Sequence, residues 1–129
     1  MIKKIFVIAL LSFSFIKNSN AQTDPNFIAL NNLDFDYYLN KPIDSLLSAI
    51  PIFLPSQLKI YGYADCHKAS RLAVTYPNQV VLLVRPKNFQ FMNSVDTNRV
   101  WDINLFKKET AWFIELFYEG RGIKDAIVD

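Results

Sequence analysis

An acid, the only cysteine and the only histidine of the chain stand side by side as Asp65, Cys66 and His67. These types suit two chemistries: a thiolate activated by an imidazole, and a sulfur-plus-nitrogen ligand pair for zinc. Both need more than the row supplies. Neighbouring side chains in extended chain point to opposite faces, so Cys66 and His67 do not meet there. A nucleophile and its base generally come from separate parts of a chain, and no second histidine exists to come. Zinc takes three or four ligands, and only carboxylates could complete the set. The row reads first as a strand end running into a loop, with Cys66 a small half-buried residue and His67 a polar loop residue. On that reading no catalytic residue, cofactor or metal ligand is assigned. The competing reading is a small envelope hydrolase or metal-dependent enzyme using Asp65, Cys66 and His67.

Other constellations are thinner. The carboxylate pairs Asp34/Asp36 and Glu115/Glu119 have spacings open to acid–base work, but both sit in alternating segments as the polar face. With Gly62, Gly120 and Gly122 the only glycines, the chain has nothing with which to cradle a phosphate. Aromatic residues carry more information. Tyr61 and Tyr63 share one strand face, Phe89 and Phe91 alternate in "KNFQFMN", and Trp101, Trp112 and Tyr118 lie further on. Tyrosine and tryptophan are enriched in interface centres, so Tyr61, Tyr63, Phe89 and Phe91 are the candidate contacts for a protein or saccharide partner. The period of the apolar faces assigns Trp101 and Trp112 to the core. The connection Arg85 to Arg99 is long for a compact domain, which fits either a functional loop or a further short edge strand over Phe89 to Met92.

The elements that must position these residues begin with an address. Lys3 and Lys4 precede an apolar run from Ile5 to Ile16, followed by Ser19, Asn20 and Ala21. The run is too short for a bilayer, which takes about 20 residues, and the small residues around Asn20 mark a cleavage site. Residues 1–21 therefore read as a signal peptide, and 22–129 as one domain exported to the periplasm or beyond. No membrane span remains after cleavage. Loss of Lys3, Lys4 and Lys17 leaves 11 basic residues against 12 acidic ones. Such a balance offers no electrostatic footprint for nucleic acid. A single cysteine forms no internal disulfide, but in an oxidising compartment Cys66 could join two copies into a homodimer.

No internal repeat or low-complexity segment interrupts the domain. Residues 22–32 read as an exposed leader, ordered only if Phe27, Ile28 and Leu30 find the core. Leu33 to Leu39 alternates and favours a short strand. In "KPIDSLLSAIP", Ile43, Leu46, Leu47 and Ile50 form the stripe of an amphipathic helix over about Pro42 to Ile50, ended by Pro51. Strands follow. Leu58 and Ile60 oppose Lys59, Tyr61 and Tyr63 along one. Arg71 to Tyr76 and Gln79 to Arg85 flank Pro77 and Asn78 as a hairpin, the second arm apolar on both faces and hence central. "NRVWDINLF" and "AWFIELFYE" flank "KKET" as a second hairpin. Residues 120–129 stay open between strand and tail. The expected fold is α+β, one short helix packed on an antiparallel sheet of about four to five strands in two layers.

This succession, a signal, the "LNKPIDSLLSAIP" helix and strands with a Lys-Lys-Glu-Thr turn, resembles small exported bacterial proteins of unknown function. The helix-then-meander order is also similar to the half-repeat of β-lactamase-inhibitor-like proteins and to SmpA-type outer-membrane assembly lipoproteins. The resemblance is one of layout, and no functional residue is carried over from it. The signal, the small α+β layout and the absence of a catalytic set together point to a non-enzymatic binding or inhibitor-like module.

Overall fold

The computed structural model describes residues 23–63, 68–88, 90–91 and 103–129, with backbone alone at 63, 68–70, 90, 91 and 105. In chain order the elements are α1 (Pro25–Asn32), α2 (Phe35–Tyr38), α3 (Ile43–Ala49), β1 (Leu58–Tyr63), β2 (Lys68–Tyr76), β3 (Val80–Pro86), β4 (Gln90–Phe91), α4 (Ile103–Lys108), β5 (Ala111–Tyr118) and β6 (Arg121–Ile127).

Among the described residues, four α-helices stand where the sequence suggested one. The segment read as a leader becomes α1, because Asp24 caps it by accepting the Phe27 amide at 3.0 Å and Pro25 fits its first turn. Phe27 and Leu30 do reach the core, whereas Ile28 stays 40% exposed. The expected strand at Leu33 to Leu39 is instead α2. Its odd-numbered residues mislead: Phe35 is buried, but Tyr37, two residues on, is 59% exposed. Leu33 packs on the core just ahead of the helix, and Phe35, Tyr38 and Leu39 reach the core at helical spacing. Helix α3 is the expected one, shorter by a residue at each end, with Pro42 as cap rather than first residue and Ile43, Leu46 and Leu47 buried.

All the described strands belong to one antiparallel sheet in the order β1-β2-β3-β5-β6, and the two-residue β4 pairs with Lys68 and Ala69 of β2. The hairpin of β2 and β3 forms as its sequence suggests, turned by Pro77–Gln79. Strand β3 is central, between β2 and β5. The second hairpin does not form. Ile103–Lys108 is helix α4, "KKET" runs from its last turn into β5, and β5 pairs with β3 and β6. The undecided C-terminus is strand β6.

One face of the sheet and the helices share a core, in which Leu30, Phe35, Ile43, Leu46 and Phe106 meet Leu72, Leu82, Ile114 and Leu116. Two ties fasten the helical segments. Lys124 of β6 donates to the carbonyls of Asn31 and Leu33 and lies 4.4 Å from the Phe35 ring, a cation at the end of α1 that suits its dipole. A short backbone ladder joins residues 40–43 to 109–111: Asn40 N–H donates to Ala111 O at 2.9 Å, Ala111 N–H to Lys41 O at 2.9 Å, and Ile43 N–H to Glu109 O at 2.8 Å.

Candidate functional site

The sheet has a second face, which none of the described helices covers; Val81, Leu83, Glu115 and Phe117 on it are half-buried and Ala73 is buried. Alternation along each strand sets its membership, since Leu58, Ile60, Leu72, Val74, Val80, Leu82, Ile114 and Leu116 belong to the core cluster or pack against it. Register aligns one row across five strands: Lys59 opposes Ala73, Ala73 opposes Leu83, Leu83 opposes Glu115, and Glu115 opposes Asp125. A second row carries Thr75, Val81, Phe117 and Gly122. The centre is thus apolar, the β1 edge basic and the β6 edge acidic. A depression of about 510 Å³ lies on this face, lined among others by Tyr61, Ala73, Val81, Leu83 and Phe117.

Tyr61 stands at one side of the depression, 37% exposed. The Lys59 ammonium is 5.0 Å and the Arg71 guanidinium 5.1 Å from its ring centroid, so two cations hold the ring by its quadrupole. Arg85 similarly lies 5.6 Å from the Phe113 ring. Glu115 leans over Gly122, where an added Cβ would come within 2.9 Å of its Oε2. Burial pushes the Glu115 carboxyl above its ordinary value, the facing Asp125 adds to this, and Arg85 opposes it.

A second concavity, about 490 Å³, lies beside the start of α1 and is lined by Asp24, Asn78, Gln79, Tyr118 and Glu119 among others. Asn78, Gln79 and Glu119 all have positive φ, at 64°, 61° and 50°. Such backbone is costly for residues other than glycine and persists because the surroundings hold it. Here the hold is visible: the Asn78 amide donates to Asp24 at 2.9 Å and Glu119 N–H donates to Gln79 O at 3.1 Å. Asp24 is fully engaged in capping and bracing, so its position is explained by architecture.

Of the residues singled out from sequence, Tyr61 is on the open face. Tyr63 ends β1 beyond an irregularity in the β1–β2 register, and Phe91 is in β4. Asp65, Cys66, His67, Phe89 and Trp101 lie outside the described residues. Asp34 and Asp36 are both exposed at the start of α2, and Glu119 sits in the β5–β6 turn, apart from Glu115. Trp112, assigned to the core by period, is 39% exposed. Ala111 and Phe113 oppose the consecutive residues Pro86 and Arg85, so Trp112 is the extra residue of a bulge and leaves the alternation. Sequence reasoning did not single out Val81 and Leu83, half-buried on this second face, although a strand apolar on both faces announced them.

Among the described residues no three carboxylates, cysteines or histidines gather where one metal ion could be held, and no helix is long and apolar enough to cross a membrane. No protein-family model, curated protein or solved structure matches the chain.

Proposed function

We propose that the protein is an exported binding module, acting in the periplasm or outside the cell, whose contact surface is the open face of the sheet. Helices and sheet then act as two layers, one bracing and one presenting. The observation that carries this is the apolar centre formed by Ala73, Val81, Leu83 and Phe117, bordered by Tyr61 and by charges of both signs. Buried interface cores are apolar and aromatic with charges at the rim, and a face of this kind resembles one before it is covered. Between the two partner classes considered, the geometry favours protein. A sugar would stack on an aromatic ring, and two cations already stand about 5 Å from the Tyr61 ring.

Site-specific photocrosslinking in the native cell tests the proposal. A photoreactive residue at Val81 on the open face should give a discrete protein adduct, and one at the exposed Asn32 of α1 should give none. Absence of any adduct at position 81 would refute it.

A further inference from the structure

We infer that the partner of the open face is a second copy of this chain, related by a twofold axis running parallel to β3. The inference rests on the open face being the binding surface, and it adds the occupant. Two observations on that face agree on the same symmetry.

The first is charge. The central row reads Lys59, Ala73, Leu83, Glu115, Asp125 from β1 to β6. Its basic and acidic ends are four strand spacings of about 4.8 Å apart, too far to pair within one copy. A twofold axis lying in the interface along β3 turns the second face over and exchanges left for right. Lys59 of each copy then faces Asp125 of the other, and Leu83 faces Leu83. A twofold axis perpendicular to the strands would instead set Lys59 near Lys59 and Asp125 near Asp125, placing like charges together. Charge therefore selects one of the two symmetric ways of stacking the sheets.

The second observation is size. Around the same axis β2 of one copy lies over β5 of the other, so Ala73 meets Glu115 and Thr75 meets Phe117. Small residues face large ones in both pairs, as interdigitating sheets about 10 Å apart require. Arg85, one step along β3, is the like charge this axis brings nearest its own copy, and its guanidinium lies 5.6 Å from the ring of Phe113 on the neighbouring β5. Aligned sheets cross at about 30°, a displacement the long Lys59 side chain absorbs at the rim.

The test is the mass of the full chain, purified as the cell processes it, by sedimentation equilibrium with reductant present so that a Cys66 disulfide contributes nothing. The wild type should be a dimer. Lys59→Glu and Asp125→Lys should each weaken it at least about tenfold, since each places like charges at two symmetry-related positions. Lys59 and Asp125 are both exposed, so folding is retained, and matching circular-dichroism melts would verify this. Mixing the two single variants should restore a heterodimer, because every contact is then between opposite charges. The double variant should dimerise with itself for the same reason. A wild-type monomer that still crosslinks to a different protein from position 81 would overturn the homodimer while leaving the binding role standing. A monomer with no adduct would overturn both. A dimer indifferent to the charge changes would overturn the proposed axis.

Discussion

The side-chain amide of Asn78 donates to the Asp24 carboxylate at 2.9 Å, joining residues 54 apart in sequence at the point where α1 begins. The same carboxylate accepts the Phe27 amide, so one acid both caps the helix and holds the β2–β3 turn in its left-handed conformation. Asp24→Ala should cost about 1–3 kcal/mol, the loss of the cap on the buried Phe27 amide together with the bond to Asn78. Asn78→Gly should cost less, because glycine adopts the positive φ readily and this offsets part of the lost hydrogen bond. Urea denaturation midpoints of the two variants provide the comparison.

Acid stability should depend on the same group. Burial pushes the Asp24 carboxyl up, but hydrogen bonds from Asn78 and from the Phe27 and Asn26 amides outweigh it and hold the group below its ordinary 3.8. A lowered folded value gives stability that is present above pH 4 and lost as pH falls through that folded value. The wild type should therefore lose its advantage over Asp24→Ala on acidification, as urea midpoints between pH 6 and pH 2 would record.

Glu115 should behave in the opposite sense. Its raised carboxyl means the folded state holds the proton more tightly than the unfolded chain, so stability falls as pH rises from the ordinary 4.5 towards the raised value. Glu115→Gln should melt higher than wild type at pH 7, and the gap should close below pH 4.5. A gap that persisted at pH 3.5 would refute this account.

Tyr76 is buried on the core face and its hydroxyl donates to the Pro51 carbonyl at 2.7 Å. Burial pushes its phenol up to about 12. Tyr76→Phe should cost about 0.5–1.5 kcal/mol at neutral pH. The wild-type phenol favours the folded state fully below pH 10, and that contribution is lost as pH rises towards 12. Alkaline absorbance titration of the variant should lack the phenol that ionises near pH 12 in the wild type.

Leu46 is fully buried and Ser48 is exposed, its hydroxyl donating back to the Asp44 carbonyl at 2.9 Å. Leu46→Ala should cost about 2–5 kcal/mol through the cavity it leaves, and Ser48→Ala should stay within about 0.5 kcal/mol of wild type. Equal midpoints would mean that α3 does not pack on the sheet.

What could be read from the chain was what repeats. Helix α3 shows two turns of apolar spacing ended by proline, and the β2–β3 hairpin shows a turn signal between apolar arms. Each decides its own structure locally. The misreadings fell where a few residues fit two periods. Leu33, Phe35 and Leu39 suit a strand by alternation, while Phe35 and Leu39 suit a helix by spacing, and tertiary packing chose the helix. "DINLF" similarly alternates, yet Ile103 and Phe106 lie three apart and one helix presents both to the core. The open face was legible only in part. Tyr61 stood out as an aromatic residue on a polar side, but the row from Lys59 to Asp125 exists only through strand register. No window of sequence contains it.

The backbone ladder between residues 40–43 and 109–111 has a consequence during synthesis. Asn40 leaves the ribosome about 70 residues before Ala111, which at 5 to 20 residues per second is roughly 4 to 14 seconds. For that interval α1 to α3 have neither their tether nor the β5 residues Ile114 and Leu116 to cover Leu30, Ile43 and Leu46. Half of the sheet's core, Leu72, Val74, Leu82 and Val84, is already made by then, but the tether and the β5 cover are not. A chaperone or secretion factor that grips apolar segments has its opening in those seconds, and a ribosome stalled before residue 109 would hold a nascent chain that proteases cut readily.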